Sequence, residues 1–283
     1  MAKEGRRLKT IDPLCMVSPF IMVNRNGASN LFKEKLDITA AEEYIRKKRK
    51  EGLKGFGMLH LFIAAYVRTV SQRPGINRFI RGQRIYARNG IDVEMTIKKE
   101  LRLDAPETAI KAQYTPDATA DEVYHQFNEL VEAYKKTDDK SGLDSLIKVL
   151  NYIPGIFLKA VVYFLKTLDY CGLLPRWLTK LSPFHASLFI TSMGSLGIPP
   201  IFHHLYDFGN LPIFISYGAK YEENYIDKKG EVKTRRCIDF TVVCDERICD
   251  GHYYASAFKY LKNILTHPEV LDNPPEQIVE DIK

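Results

Sequence analysis

The chain lacks a long apolar run. No continuous apolar stretch approaches the roughly 20 residues that a bilayer span needs. The N-terminal "MAKEGRRLKTIDPLC" also lacks the apolar core of a signal peptide, so a cytoplasmic location is expected. Cysteine is sparse. The five (Cys15, Cys171, Cys237, Cys244 and Cys249) are odd in number and suit neither a disulfide framework nor a metal cage. A reducing compartment fits this usage, and Cys244 and Cys249 are expected to be plain buried thiols. There is no zinc-finger or RNA-binding signature, no internal repeat and no low-complexity segment. The net charge of +6 is too diffuse to argue for nucleic acid. It suits an anionic small ligand or a membrane surface.

What is present is ordinary for a folded protein: 45% hydrophobic and 27% charged residues. A length of 283 residues fits one large domain with extensions. Residues 1–30 read as an N-terminal arm, with "RRLKTI" as a candidate strand. "KLDITAAEEYIRKKRKEG" starts a charged surface helix that Asp37 or Thr39 can cap. "GFGMLHLFIAAYVRTVSQRPG" is apolar on most sides and predicts a buried helix ending before Pro74. In "GQRIYARNGIDVEMTIKKEL", strand alternation is broken by the turn signal Asn89-Gly90. "TADEVYHQFNELVEAYKK" is an amphipathic helix with Val123, Phe127, Leu130, Val131 and Tyr134 on one face.

Residues 138–183 form an apolar helical insertion, broken at Pro154-Gly155 and from Gly172 to Pro175. Lys148, Lys159, Lys166 and Lys180 interrupt it, which argues against a spanning helix. A hairpin packed on its own domain or on a neighbouring subunit is one reading. A lid, an apolar channel or peripheral membrane contact through 145–180 is the other. Three strand-like runs follow: "SLFITSMGSLG", "LPIFISYGAKYEE" and "EVKTRRCIDFTVVCDER". "DGHYYASAFKYLKNILTHPEVL" closes the domain as a helix, and 271–283 is a C-terminal tail. Loosely alternating strands and helices predict the α/β or α+β class.

The order of these segments resembles the catalytic domain of the dihydrolipoamide acyltransferases of 2-oxoacid dehydrogenase complexes, and also chloramphenicol acetyltransferase. "KLDITA" looks like the strand-to-helix entry of both, and "RPGINRFIRGQRIYARNGIDVEMTI" like the segment after their buried helix. "SLFITSMGSLG" looks like the acyltransferases' Phe-Thr-Ile-Ser-Asn-Leu-Gly, and "LPIFISYGAKYEE" and "RRCIDFTVVCDERICDG" like their last two strands. The resemblance covers most of 30–265, so 31–270 is taken as one acyltransferase-like domain. It implies an α/β two-layer sandwich of a mixed sheet and helices. It also implies a homotrimer, open to higher assembly as a cage, whose active site lies between subunits and takes acyl-CoA as substrate. No lipoyl domain or peripheral-subunit-binding segment is expected ahead of this domain.

In such enzymes a motif histidine (His-x-x-x-Asp-Gly) removes the proton of a thiol or hydroxyl as it attacks the acyl thioester. A serine from the neighbouring subunit steadies the tetrahedral oxyanion, and the motif aspartate, bonded to an arginine near the arm, is structural. The serine falls on Ser192, the aspartate on Asp250 before Gly251, and the base on Glu246. The arginine candidate is Arg25. A glutamate in water is a weak base, near pKa ~4.3, although burial in a dry channel can raise a carboxyl by several units. Arg247, beside it, need not pair if the strand continues. His252 is an alternative base, set against an ordinary helix-start role. His185 precedes the Ser192 strand. His203-His204, without acidic or cysteine partners at ligand spacing, read as a surface pair, and no metal site is expected. Two functions follow: an acyl-CoA-dependent acyltransferase with an altered base, or a silent scaffold or binding module that keeps the fold.

Overall fold

Two stretches of β-branched and aromatic residues, Ile213–Tyr217 and Ile238–Cys244, are buried almost throughout and pair antiparallel at the centre of the molecule. The computed structural model describes residues 4–98, 107–136 and 150–282. Its main sheet has six strands. In chain order these are β2 (Ser29–Asp37), β5 (Ile91–Lys98), β6 (Glu107–Tyr114), β7 (Leu188–Ser192), β8 (Ile213–Ile226) and β9 (Val232–Asp245). They lie in the order β2-β9-β8-β7-β5-β6. β7 runs parallel to both β5 and β8, and the other pairs are antiparallel, so the sheet is mixed. A smaller sheet joins β1 (Gly5–Arg7), β4 (Arg84–Arg88) and β3 (Phe79–Arg81) in the order β1-β4-β3.

Helices cover one face of the main sheet. α2 (Thr39–Lys50), α3 (Met58–Gln72), α4 (Ala120–Lys136) and α7 (Gly251–Thr266) share one apolar cluster with the strands. α3 is buried from Met58 to Ser71 at all but one position, as its apolar composition predicts, and it ends before Pro74. Asp37 accepts the Thr39 amide at 2.9 Å at the start of α2. Thr119 and Glu122 bond each other's backbone amides at the start of α4 (3.3 and 2.8 Å), a capping box. The α7 face expected from the sequence, Tyr254, Ala257, Phe258, Leu261 and Leu265, is buried. The result is the α/β two-layer sandwich that the sequence implies.

The opposite face of β8 and β9 is covered by the segment 198–211. The Ile201 amide bonds Ser216 Oγ at 3.2 Å, Thr241 Oγ1 donates to the Ile201 carbonyl, and Leu205 packs on Phe214 and Val243. Gly218 makes this possible, since a Cβ there would meet Pro200 Cδ at 2.5 Å. The β8–β9 register shifts between Tyr217 and Lys220. Beyond that bulge, β8 and β9 continue as an exposed hairpin.

Asn89-Gly90 does not close a hairpin: β4 and β5 lie in different sheets, so the pair turns a corner between them. The arm holds a helix, α1 (Pro13–Ile21), which carries a proline inside it and was hidden in the sequence by its short length and irregular composition. Within 138–183, residues 138–149 lie outside the described residues. The remainder forms α5 (Gly155–Cys171) and α6 (Arg176–Leu181), separated by Gly172 in the left-handed conformation at φ 70°.

Candidate active site

The motif "DERICDG" sits where β9 ends and α7 begins. Asp245, the last residue of β9, is 1% exposed and carries the densest charge contacts of the region. Arg247 clasps it with two bonds, Nε to Oδ1 and Nη2 to Oδ2, both 2.8 Å. Arg25, from the arm, approaches the second oxygen at 3.3 Å. The remaining Arg25 donors reach the carbonyls of Tyr206 and Gly209, and those of Arg247 reach the carbonyls of Met22 and Val23. Burial lowers the pKa of the Arg25 guanidinium, and the Asp245 carboxylate opposes this. Both guanidinium groups are paired with carboxylate and carbonyl oxygens, as buried charge requires.

Arg25 therefore pairs with Asp245 rather than with Asp250, and Arg247 pairs as well. The strand stops at Asp245, so alternation no longer sets the direction of Arg247. Asp250 acts locally. It precedes α7 and its carboxylate accepts the Tyr253 amide at 2.7 Å, an N-cap bond. Glu246 is exposed in the single chain, and its amide bonds the Ala28 carbonyl at 2.8 Å. His252 is exposed in the first turn of α7. Glu246, Asp250 and His252 thus share one end of the sheet.

Ser192 lies elsewhere. It ends β7, half-buried, level with Tyr217 on β8, which is level with Phe240 on β9. Glu246 follows the end of β9, past Asp245. At about 3.3 Å per residue this separates Ser192 from Glu246 by on the order of 15–20 Å along the strands. Beside it Tyr217 is buried, which pushes its phenol up to about 12, with Ser192 acting in the opposite sense. Tyr217 is held by stacking on Phe62, ring centroids 5.0 Å apart.

The Glu246 end of the sheet carries further buried polar groups, of which the sequence singled out only His185. Asp169 of α5 lies 3.2 Å from His185 Nε2 and accepts the Gly209 amide at 3.1 Å, and His185 Nδ1 is 2.8 Å from Ser182 Oγ. Burial alone would raise the Asp169 pKa, but its bond to His185 and the nearby arginines hold it below the usual carboxylate range. Lys111 of β6 donates to the carbonyls of Thr179, Ser182 and His185 at 2.7–3.0 Å, and its ammonium lies 3.6 Å from the buried Glu94 of β5. Burial raises the Glu94 pKa to about 8. A cavity of about 470 Å³ opens beside this pair, with Arg88, Lys111, Arg176 and Lys180 supplying most of its charge.

Burial lowers His60 to about 4, and it accepts the Gly57 amide at 3.2 Å. His203 stacks on Phe214, centroids 4.3 Å apart. Cys244 and Cys249 are buried, and burial raises both thiols, so they are inert. Among the described residues no group of His, Cys, Asp and Glu is arranged to hold a metal.

No protein-family model and no curated protein matches the chain. Solved structures do. A probable dihydrolipoamide acetyltransferase from Listeria monocytogenes 4b F2365 shares 14% identity over 93% of this chain and 95% of its own, at TM-score 0.58. Chloramphenicol acetyltransferase shares 11% over 92% and 99%, at TM-score 0.56. The cubic core of the pyruvate dehydrogenase multienzyme complex shares 14% over 95% and 96%, at TM-score 0.52. The chain has the fold of the dihydrolipoamide acetyltransferase cores and chloramphenicol acetyltransferase. At these identities the likeness concerns fold alone.

Proposed function

We propose that this chain is an acyltransferase-like protein whose site is assembled between copies, transferring an acyl group between coenzyme A and a thiol or hydroxyl acceptor. One observation carries the reading: in a single chain Ser192, at the end of β7, lies on the order of 15–20 Å along the strands from Glu246. A chain cannot bring its own pair together. A second copy can, if it presents its Ser192 end to the Glu246 end of the first. The outward apolar side chains of α1, including Leu14 and Ile21 at 72% exposure each, give such an assembly a surface to bury. A homotrimer, with a cage as a larger form, is the arrangement that the sequence resemblance implies.

In this reading Glu246 takes the acceptor's proton as the acceptor attacks the thioester carbonyl. Ser192 of the adjoining copy hydrogen-bonds the oxyanion, and the departing CoA thiolate is protonated from Glu246. The interface must be dry, because a carboxyl becomes a competent base only when desolvation raises its affinity for protons. The test is release of free CoA thiol from a panel of acyl-CoAs with a small hydroxyl acceptor. The expected result is a rate above background for the wild type, lowered by at least ~100-fold in Glu246→Ala and in Ser192→Ala.

A second reading rests on Glu246 itself, exposed where an imidazole would serve better. It makes the chain a silent scaffold or binding module of the same assembly. Background rates in all three proteins, together with a mass of several chains in solution, would select it.

A further inference from the structure

α5 spans 17 residues and buries none of its side chains. Its inward side, Leu158, Val161, Leu165 and Leu168, is only half-covered. Its outward side is apolar. Ile156, Tyr163 and Tyr170 stand seven apart in one row, and Phe157 and Phe164, also seven apart, form a second row beside it, so the five span one broad outward apolar stripe. They are 78%, 75%, 53%, 63% and 60% exposed respectively. Beyond the Gly172 turn the surface continues with Leu173 and Trp177, 66% and 58% exposed.

The charges around this stripe have one sign. Lys159 and Lys166, also seven apart, border it, and Arg176 and Lys180 of α6 follow; all four are exposed. The one acidic residue from 150 to 181, Asp169, is turned inward onto His185 and the Gly209 amide. An apolar protein partner would strand these cations unless it carried acids in register with them. An anionic bilayer offers negative headgroups everywhere along the border and acyl chains beneath the stripe. Tyrosine and tryptophan at the margin suit the same boundary, because each has an apolar body and a polar tip. At 1.5 Å per residue α5 is about 25 Å long, with two lysines along it. No described helix is long and apolar enough to cross a membrane, so the geometry is that of a helix lying in the headgroup plane.

We infer that the α5–α6 face docks on the surface of a bilayer containing anionic lipid. The inference does not depend on the acyltransferase reading. The Lys111 bonds to the end of α6 and the Asp169–His185 contact hold this face to the domain, so docking orients the whole molecule.

Trp177 is the single tryptophan of the sequence and reports on the face directly. Its emission is expected to shift to the blue when the full chain meets vesicles of phosphatidylcholine mixed with phosphatidylserine. With phosphatidylcholine alone, or at high salt, the shift is lost. In vesicle flotation, Lys159→Glu/Lys166→Glu and Phe157→Ser/Phe164→Ser should each reduce the bound fraction by at least ~10-fold. Both pairs are exposed, and circular dichroism checks that the fold is kept. Unchanged Trp177 emission with the mixed vesicles overturns the inference. So does flotation that is equal on both vesicle types. So does a Phe157→Ser/Phe164→Ser variant that sediments as a smaller species while the wild type ignores lipid, since a second copy of the chain then covers the stripe.

Discussion

Asp245 and Asp250 are five residues apart and do unrelated work. Asp245 neutralises Arg25 and Arg247 in a site where all three are at least 95% buried. Removing it leaves two cations without their counter-charge, a loss of about 3–5 kcal/mol. Asp245→Asn should therefore lower Tm by about 10 °C in a thermal melt or yield insoluble protein. Asp250→Ala removes one N-cap bond, about 1 kcal/mol, and should leave a soluble chain with Tm shifted by a few degrees at most. Equal losses would mean that Asp250 carries an ion pair after all. The sequence singled out Asp250 and offered Arg25 as its partner, whereas Arg25 pairs with Asp245. Asp250 was legible as the residue before a helix. The Arg25–Asp245 pair was not, because its members lie 220 positions apart, and the Arg247–Asp245 pair was missed because strand alternation would have turned Arg247 away. Glu246 was legible as an anomaly for the opposite reason: its meaning depends only on its neighbours within one short motif.

At the scale of elements, α6 is tied to the edge of the sheet by Lys111, whose ammonium meets carbonyls at or just past the C-terminal end of that helix, where a cation is favoured. Glu94 stands behind it. Its raised pKa has a definite sign. Between about pH 4, where an unfolded glutamate ionises, and about 8, the folded chain holds a proton that the unfolded chain has lost. Stability from this group is full below the unfolded pKa and declines as pH rises through that window. Glu94→Gln should flatten the decline in melts recorded from pH 5 to 9. Lys111→Met should steepen it, because Glu94 then ionises without a counter-charge.

Asp272 has the reverse sign. Burial would raise it, but bonds from Lys48, Lys47 and Tyr44 lower it to about 2. Its contribution is present above an unfolded value of about 4 and is lost as pH falls toward 2. Asp272→Asn should therefore melt earlier at pH 7 and converge with the wild type near pH 2. Helix α3 and the central strands were legible from period and composition. The corner at Asn89-Gly90 was not, because a turn signal does not say which sheet the next strand joins.

At the scale of the molecule, a shared site makes a prediction that a self-contained one does not. Glu246→Ala and Ser192→Ala chains, each inactive alone, should regain activity when co-expressed. Some interfaces then pair an intact Glu246 with an intact Ser192. With random mixing about one interface in four is complete, so about a quarter of the wild-type rate is expected. No recovery beside an active wild type would mean that Glu246 and Ser192 do not act together across one interface.

The parallel pairing of β5 with β7 joins Val93 to Leu188, about 95 positions apart in the chain. β6, α4, α5 and α6 all lie in that interval. The sheet cannot be completed until the ends of this long loop have met, and the entropy of closing it is spent before the contact repays it. Halving the loop would recover only about 0.6 kcal/mol. Refolding of this chain should accordingly be slow for its size. Until β7 arrives, β5 and β8 each present an unpaired apolar edge, so the yield of refolded protein should fall as chain concentration rises.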